Sequence, residues 1–158
     1  LVSDTLPALT YITGDIPVRA LAASTTHKVT VPFPQWFVRT FAASAGTTSN
    51  PHGILVKNVA LAYRVNTTTI TSFSTFAINT AALVAAAALP TVTALTTTLA
   101  GNTLTAAANV YLAVSTVTTP AFVVVTDTII WAVATIVVPG SSTVDLLGAS
   151  WRVAYAMH

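Results

Sequence analysis

The chain has 158 residues, of which 54% are hydrophobic and only 6% are charged, and its formal net charge is +2. That length is enough for one domain with a sizeable core, and the absence of cysteine excludes disulfide bonds, thiol catalysis and Cys-based zinc sites. The basic residues are scattered singly, without the run or helical stripe typical of a nucleic-acid interface, so we expect no nucleic-acid partner.

Residues 1–26 are predicted to form an extended N-terminal arm, followed by a single domain over residues 27–158. The arm has no regular hydrophobic period, and Pro7, Gly14 and Pro17 interrupt it. Its apolar side chains need to be covered, and we expect a neighbouring subunit to cover them. The predicted interface residues in this arm are Leu6, Leu9, Tyr11, Ile12, Ile16 and Val18.

Apolar residues alternate most clearly with other residues in Leu55–Val65 and Leu147–Met157. Each of these two stretches is predicted to be an interior strand with one face in the core. An aspartate at Tyr63 or at Val153 should therefore abolish folding, because its charge would be buried. The predicted core face of the first stretch consists of Leu55, Val59, Leu61, Tyr63 and Val65. The predicted core face of the second consists of Leu147, Ala149, Trp151, Val153, Tyr155 and Met157.

The remaining chain is rich in Thr and Val and is divided by turn signals. Lys28–Val31 is a strand candidate, as are the stretches NVYLAVSTVTT, AFVVVT and TIIWAVATIVV. Residues 80–90, TAALVAAAALP, are predicted to form either a short helix or an irregular loop, because Ala favours helix and Pro90 would end one. About eight strands at intervals of roughly 8–12 residues predict an all-β, antiparallel sandwich or barrel. No window of about 20 residues is continuously apolar, so we expect no membrane-spanning helix.

Residues capable of catalysis or metal binding are few. His27, His52 and His158 are the only histidines, and we interpret them as surface residues. Asp127 and Asp145 lie at predicted strand breaks, where Asp commonly serves turns. We therefore expect no enzymatic activity, no bound metal, no cofactor and no small-molecule substrate.

The three tryptophans could in principle stack on sugars or bases. Trp131 and Trp151 fall on predicted strands among Val and Tyr residues, so we expect them to pack in the core. Trp36 lies beside Phe37 in a proline-rich stretch. We add Trp36 and Phe37 to the predicted interface.

Two stretches of the sequence carry a family resemblance. They are VKNVALAYRVNTTTITSF and, near the C-terminus, VTDTIIWAVATIVVPGSSTVDLLGASWRVAYAM. Residues 54–158 thereby resemble virion structural proteins of tailed bacteriophages, which include jelly-roll modules of head decorations, fibres and tail parts. The matching positions in the last strand and the turn before it are Thr143, Val144, Leu146 or Leu147, Gly148, Val153 and Tyr155. This resemblance implies a β-sandwich of jelly-roll type, symmetric assembly with a trimer favoured, and no cofactor.

We therefore expect a structural subunit of a virus particle, as a capsid, decoration or tail and fibre component located in the virion. Its partners would be copies of itself and other virion proteins, and not a membrane. One alternative is an extracellular or cell-surface filament or pilus subunit, joined by strand donation. A second alternative is a secreted carbohydrate-binding module that uses exposed aromatic residues.

Overall fold

The structure is a computed structural model. It describes residues 2–3, 9–12, 16–21, 25–34, 53–66, 71–82, 90–101, 103–104, 110–124, 128–138, 140 and 143–156. Within these residues the protein is all-β, with two antiparallel sheets and no helix. The predicted all-β class is confirmed, and the arrangement of the two sheets is consistent with a β-sandwich.

Each sheet contains six strands, numbered here in chain order. Sheet A has the spatial order β1 (Val2–Ser3), β4 (Thr25–Pro32), β11 (Thr128–Val138), β6 (Thr71–Ala82) and β7 (Val92–Ala94), and β9 (Thr103–Leu104) also pairs with β6. Sheet B has the order β2 (Leu9–Ile12), β3 (Ile16–Leu21), β12 (Val144–Ala156), β5 (Gly53–Val65), β10 (Val110–Val124) and β8 (Thr97–Ala100).

The core lies between the inner faces of the two sheets. From Ile129 onward, buried residues of β11 alternate with half-buried or exposed ones, because successive side chains of a strand point to opposite faces. The sheets are also linked by a buried hydrogen bond, which the Ser115 hydroxyl donates to the carbonyl oxygen of Phe76 at 2.5 Å. The largest fully buried side chains are Tyr63, Ile54, Leu61, Ile78, Ile130, Ile136, Val29, Val56, Val59 and Val65.

A bulge at Lys57 changes the predicted face of the start of β5. On both neighbouring strands the pairing moves from Asn58 to Val56 and leaves Lys57 without a register partner. Ile54 and Val56 are fully buried, whereas Leu55 is half-buried on the opposite side. The assignment of Leu55 to the core face is therefore wrong, because one extra residue reverses the alternation before it.

A second bulge, in β12, changes which residues of that strand face the core. The pairing with β5 shifts between Leu146 and Gly148, so Leu147 is the extra residue. Val144 and Leu146 are buried before this point, and Trp151 and Val153 pack partly buried against the core after it. The placement of Leu147 on the core face is therefore wrong, while Trp151 and Val153 lie on the predicted side.

Two further segments differ from their predicted form. The stretches NVYLAVSTVTT and AFVVVT form one strand, β10, whose pairing with β5 is irregular between Thr116 and Ala121. Strand β6 continues through Thr80–Ala82, so a helix across the whole of residues 80–90 is wrong. Residues 83–89 lie outside the described residues.

Parts of the predicted arm pair with the sandwich of their own chain. Strand β1 pairs with β4, and β2 and β3 form an antiparallel hairpin. Strand β3 joins the edge of sheet B through the pairs Leu21–Val144, Ala20–Asp145 and Arg19–Leu146. Ile16–Leu21 thus lies between β2 and β12, with β2 as the outermost strand at this end of sheet B, and its contribution to assembly stays a prediction.

Tyr63 of β5 is fully buried and packs across the core against the other sheet. Its ring lies 4.8 Å from that of Phe73 in sheet A and 6.4 Å from that of Tyr111 in β10. Its hydroxyl donates a hydrogen bond to the carbonyl oxygen of Gly101 at 2.8 Å. Gly101 has a φ of 67°, and a Cβ there would collide with the backbone of Leu112, so this turn requires glycine. Burial, and secondarily the nearby Tyr111, raise the pKa of Tyr63 above its usual value.

The raised pKa of Tyr63 predicts a loss of stability in alkali. Below about pH 10 the Tyr63 hydroxyl is protonated in both the folded and the unfolded chain, so the stabilisation linked to its raised pKa is fully present. Above about pH 10 the unfolded chain loses this proton first, so the free energy of unfolding falls. We expect Tyr63→Phe to lose less stability than wild type between about pH 9 and pH 11, measured by urea unfolding. Equal losses in the two proteins would contradict this assignment.

Candidate assembly surface

The outer face of sheet A is formed by the residues of β4, β11 and β6 that point away from the core. Sheet register brings them into rows across the three strands. Of these described residues only Lys28 is charged. They are Thr26, Lys28, Thr30, Pro32, Thr75, Ala77, Asn79, Ala81, Ile129, Trp131, Val133, Thr135 and Val137, of which Ala81 is buried.

An apolar row runs along β11 through the middle of this face. Ile129, Trp131 and Val133 are half-buried, and Val137 is 38% exposed. Trp131 pairs with Pro32 on one side and Asn79 on the other. The prediction that Trp131 packs in the core is therefore wrong, whereas Trp151 does pack there. The indole of Trp151 lies 5.2 Å from the ring of Phe33 and donates a hydrogen bond to the carbonyl oxygen of Pro32 at 3.1 Å.

Two hydroxyl groups on or beside this face, those of Thr75 and Ser74, have hydrogen-bond acceptors within the sheet. The Thr75 hydroxyl donates to the Thr135 hydroxyl at 2.9 Å, and the Ser74 hydroxyl donates to the carbonyl oxygen of Thr135 at 3.4 Å. Covering a hydroxyl that already has a protein partner costs much less than covering an unpaired one. The part of this face around Thr75 and Thr135 can therefore be removed from water at a low polar cost.

The outer face of sheet B has a different electrostatic character. Among its described residues are three cations, Lys57, Arg64 and Arg152, and one anion, Asp145. Arg64 and Asp145 form an ion pair at 2.5 Å. Next to these charges lies an open groove of about 250 Å³, lined by Leu112 and by small residues of β5 and β12.

The predicted interface residues are only partly described. Leu9, Tyr11 and Ile12 belong to β2, and Ile16 and Val18 belong to β3, while nothing is described of their side chains. Three further residues lie outside the described residues, namely Leu6, Trp36 and Phe37. The interface assignment of all eight stays a prediction.

The sequence contained a signal for the surface on β11 that the prediction missed. The stretch TIIWAVATIVV is apolar at both odd and even positions, which is unusual for a strand with one face in water. A sandwich strand buries one face only, so the other apolar face has to be exposed in a single chain. Trp131, Val133 and Val137 are the residues that this argument identifies.

The described residues show no metal site or membrane-spanning helix. No group of three or more His, Asp or Glu side chains among them could hold a metal ion, and none of their segments forms a helix long and apolar enough to cross a bilayer. His27 is buried in β4 at 6% exposure, so its assignment to the surface is wrong. Asp145 lies within β12 and pairs with Arg64, so its assignment to a turn is also wrong. His52, Asp127 and His158 lie outside the described residues.

No protein family, curated protein or solved structure matches this chain.

Proposed function

We propose that this protein is a structural subunit of a virus particle, in which it acts through symmetric self-assembly. The observation that carries the proposal is the outer face of sheet A, where three long strands present apolar and threonine side chains with Lys28 as the one charge among the described residues. Charged residues are depleted at the centre of protein interfaces. A surface so poor in charge is suited to burial against another protein.

We also propose that the sandwich is of jelly-roll type. The pairings β3–β12, β4–β11, β5–β10 and β6–β7 are nested, each inside the one before. This is the order obtained when one long hairpin is rolled up into two sheets. The jelly roll is such a double-sheet architecture, and viral capsid proteins and lectins use it. The nesting supports a virion subunit and is also compatible with the carbohydrate-binding alternative.

A filament subunit joined by strand donation is the second candidate, and the edge of β12 favours it. In the described part of the chain, β3 pairs with β12 only over Val144–Leu146. The remaining edge, Gly148–Ala156, is long enough to accept an added strand. A predicted arm of residues 1–26 from a neighbouring subunit would be the donor.

Electron microscopy of the purified protein, together with its mass in solution, tests these proposals. We expect closed, symmetric assemblies, with three chains as the favoured number. Open helical filaments would instead support strand donation, since a head-to-tail contact that does not close gives a helix. A protein that stays a single chain at all concentrations, or whose tryptophan fluorescence changes on binding a sugar, would contradict the virion assignment.

A further inference from the structure

We propose that the outer face of sheet A packs against the same face of a second copy of this chain. This inference rests on the proposed function, because it names the partner through which the subunit would assemble. The contact is isologous, so it joins copies in pairs. Together with a threefold contact elsewhere on the chain, it would join one trimer to the next.

The size of the face is sufficient for such a contact. Strand β11 has 11 residues, and its neighbours β4 and β6 lie about 4.8 Å away on either side, so three strands cover roughly 500 Å². Two such faces bury roughly 1,000 Å² if each is treated as flat, and projecting side chains add to this area. That area is about the minimum for a specific interface between proteins.

The distribution of charge favours a second copy on sheet A rather than on sheet B. Packing sheet B on itself would bring Lys57, Arg64 and Arg152 of two copies together, and Asp145 is already paired with Arg64. On sheet A, only Lys28 among the described outer residues has to be accommodated. A nearly uncharged, apolar face is best matched by another nearly uncharged face, and an identical one is available in every subunit.

A twofold axis along β11 also separates the two lysines. Such an axis places β4 of one copy over β6 of the other, as in the aligned packing of two sheets about 10 Å apart. Lys28 pairs in register with Thr135, which pairs in turn with Thr75 on β6. Lys28 of one copy therefore faces the Thr75 region of the second copy rather than its Lys28.

A matched pair of lysine variants tests the choice of face. Val137 on sheet A is 38% exposed and Leu112 on sheet B is 56% exposed, so a lysine at either position can reach water in a single chain. We expect Val137→Lys to raise the dissociation constant at least about tenfold, because two charges would be enclosed in the contact. Leu112→Lys should leave it unchanged. Mass is measured by light scattering over a dilution series, with circular dichroism as the check on folding.

A charge pair at Thr75 tests the geometry even if Val137→Lys fails to fold. Thr75→Lys should weaken association because it faces Lys28 of the second copy, whereas Thr75→Glu should preserve or strengthen it. Equal weakening by both variants, or weakening by Leu112→Lys, would overturn the inference. A wild-type protein that assembles, with the same mass in Val137→Lys, would overturn it too and leave the proposed function standing. A wild-type protein that never assembles would refute the proposed function itself.

Discussion

The Tyr63→Asp variant is expected to be unfolded at room temperature, without a cooperative transition in urea. Tyr63 is fully buried between the sheets, and its ring contacts those of Phe73 and Tyr111. The substitution removes this aromatic packing and places a carboxylate where no water reaches. Far-ultraviolet and near-ultraviolet circular dichroism, followed by urea titration, measure the outcome.

The magnitude follows from two separate losses at Tyr63. Removing a buried aromatic ring costs roughly 3–5 kcal/mol, and burying an unpaired charge costs several kcal/mol more. The carbonyl oxygen of Gly101 also loses its hydrogen-bond donor. The sum of these losses is comparable to the roughly 5–15 kcal/mol by which a small domain is stable. The folded state of Tyr63→Asp should therefore not be populated.

Two controls separate the effect of burial from that of the substitution itself. Tyr63→Phe keeps the ring and should fold, with a loss of about 1 kcal/mol from the missing hydrogen bond. Thr116→Asp places the same side chain at an exposed position of β10 and should cost about 1 kcal/mol or less. A Tyr63→Asp protein as stable as Thr116→Asp would refute the interior position of this strand.

Val153→Asp should have a smaller effect than the sequence pattern alone predicts. Val153 is half-buried and packs at the margin of the core, so water can still reach part of an aspartate there. We expect a destabilised but folded protein that still unfolds cooperatively in urea, at a midpoint below those of Thr116→Asp and Tyr63→Phe, whereas Tyr63→Asp should show no cooperative transition. The sequence pattern predicts loss of folding for both variants, and the different burial of the two residues restricts that prediction to Tyr63.

The fold class was predictable because alternation is a local property of the chain. Leu61, Tyr63 and Val65 are each two residues apart, and this spacing alone indicates a strand with a single buried face. The bulges at Lys57 and Leu147 were not predictable in the same way. An extra residue leaves the composition of a strand unchanged and becomes visible only through its pairing with neighbouring strands.

The candidate surface was less predictable than the fold, since it depends on contacts between distant parts of the chain. Trp131 lies on a strand that is apolar on both sides, and the sequence does not say which side meets the core. The pairing of β11 with β4 and β6 makes that choice, over a separation of about 100 residues in the case of β4. The ion pair between Arg64 and Asp145 is hidden for the same reason.

The Arg64→Ala variant is expected to lose about 3 kcal/mol of stability, near the lower end of the roughly 3–5 kcal/mol for breaking a buried ion pair. Arg64 and Asp145 lie opposite each other on β5 and β12. The Nε and Nη2 atoms of Arg64 donate to the same carboxylate oxygen, at 3.2 and 2.5 Å. The Asp145 side chain is 7% exposed and that of Arg64 is 27% exposed, so truncating the arginine leaves a buried carboxylate without this cation.

The position of Asp145 gives this ion pair a second consequence. Asp145 also pairs in register with Ala20 of β3, so the carboxylate lies where the N-terminal hairpin meets the edge of sheet B. Loss of Arg64 should therefore loosen the hairpin before the rest of the sandwich, because β3 is held there over only a short register. Hydrogen exchange of β3 amides should accelerate more in Arg64→Ala than exchange in β11.

Arg152→Ala removes an exposed arginine from the same outer face and should change stability by less than about 0.5 kcal/mol. In the double variant Arg64→Ala, Asp145→Ala the loss should be smaller than in Arg64→Ala alone, since the buried charge is gone. Additive losses would instead show that the two side chains act independently.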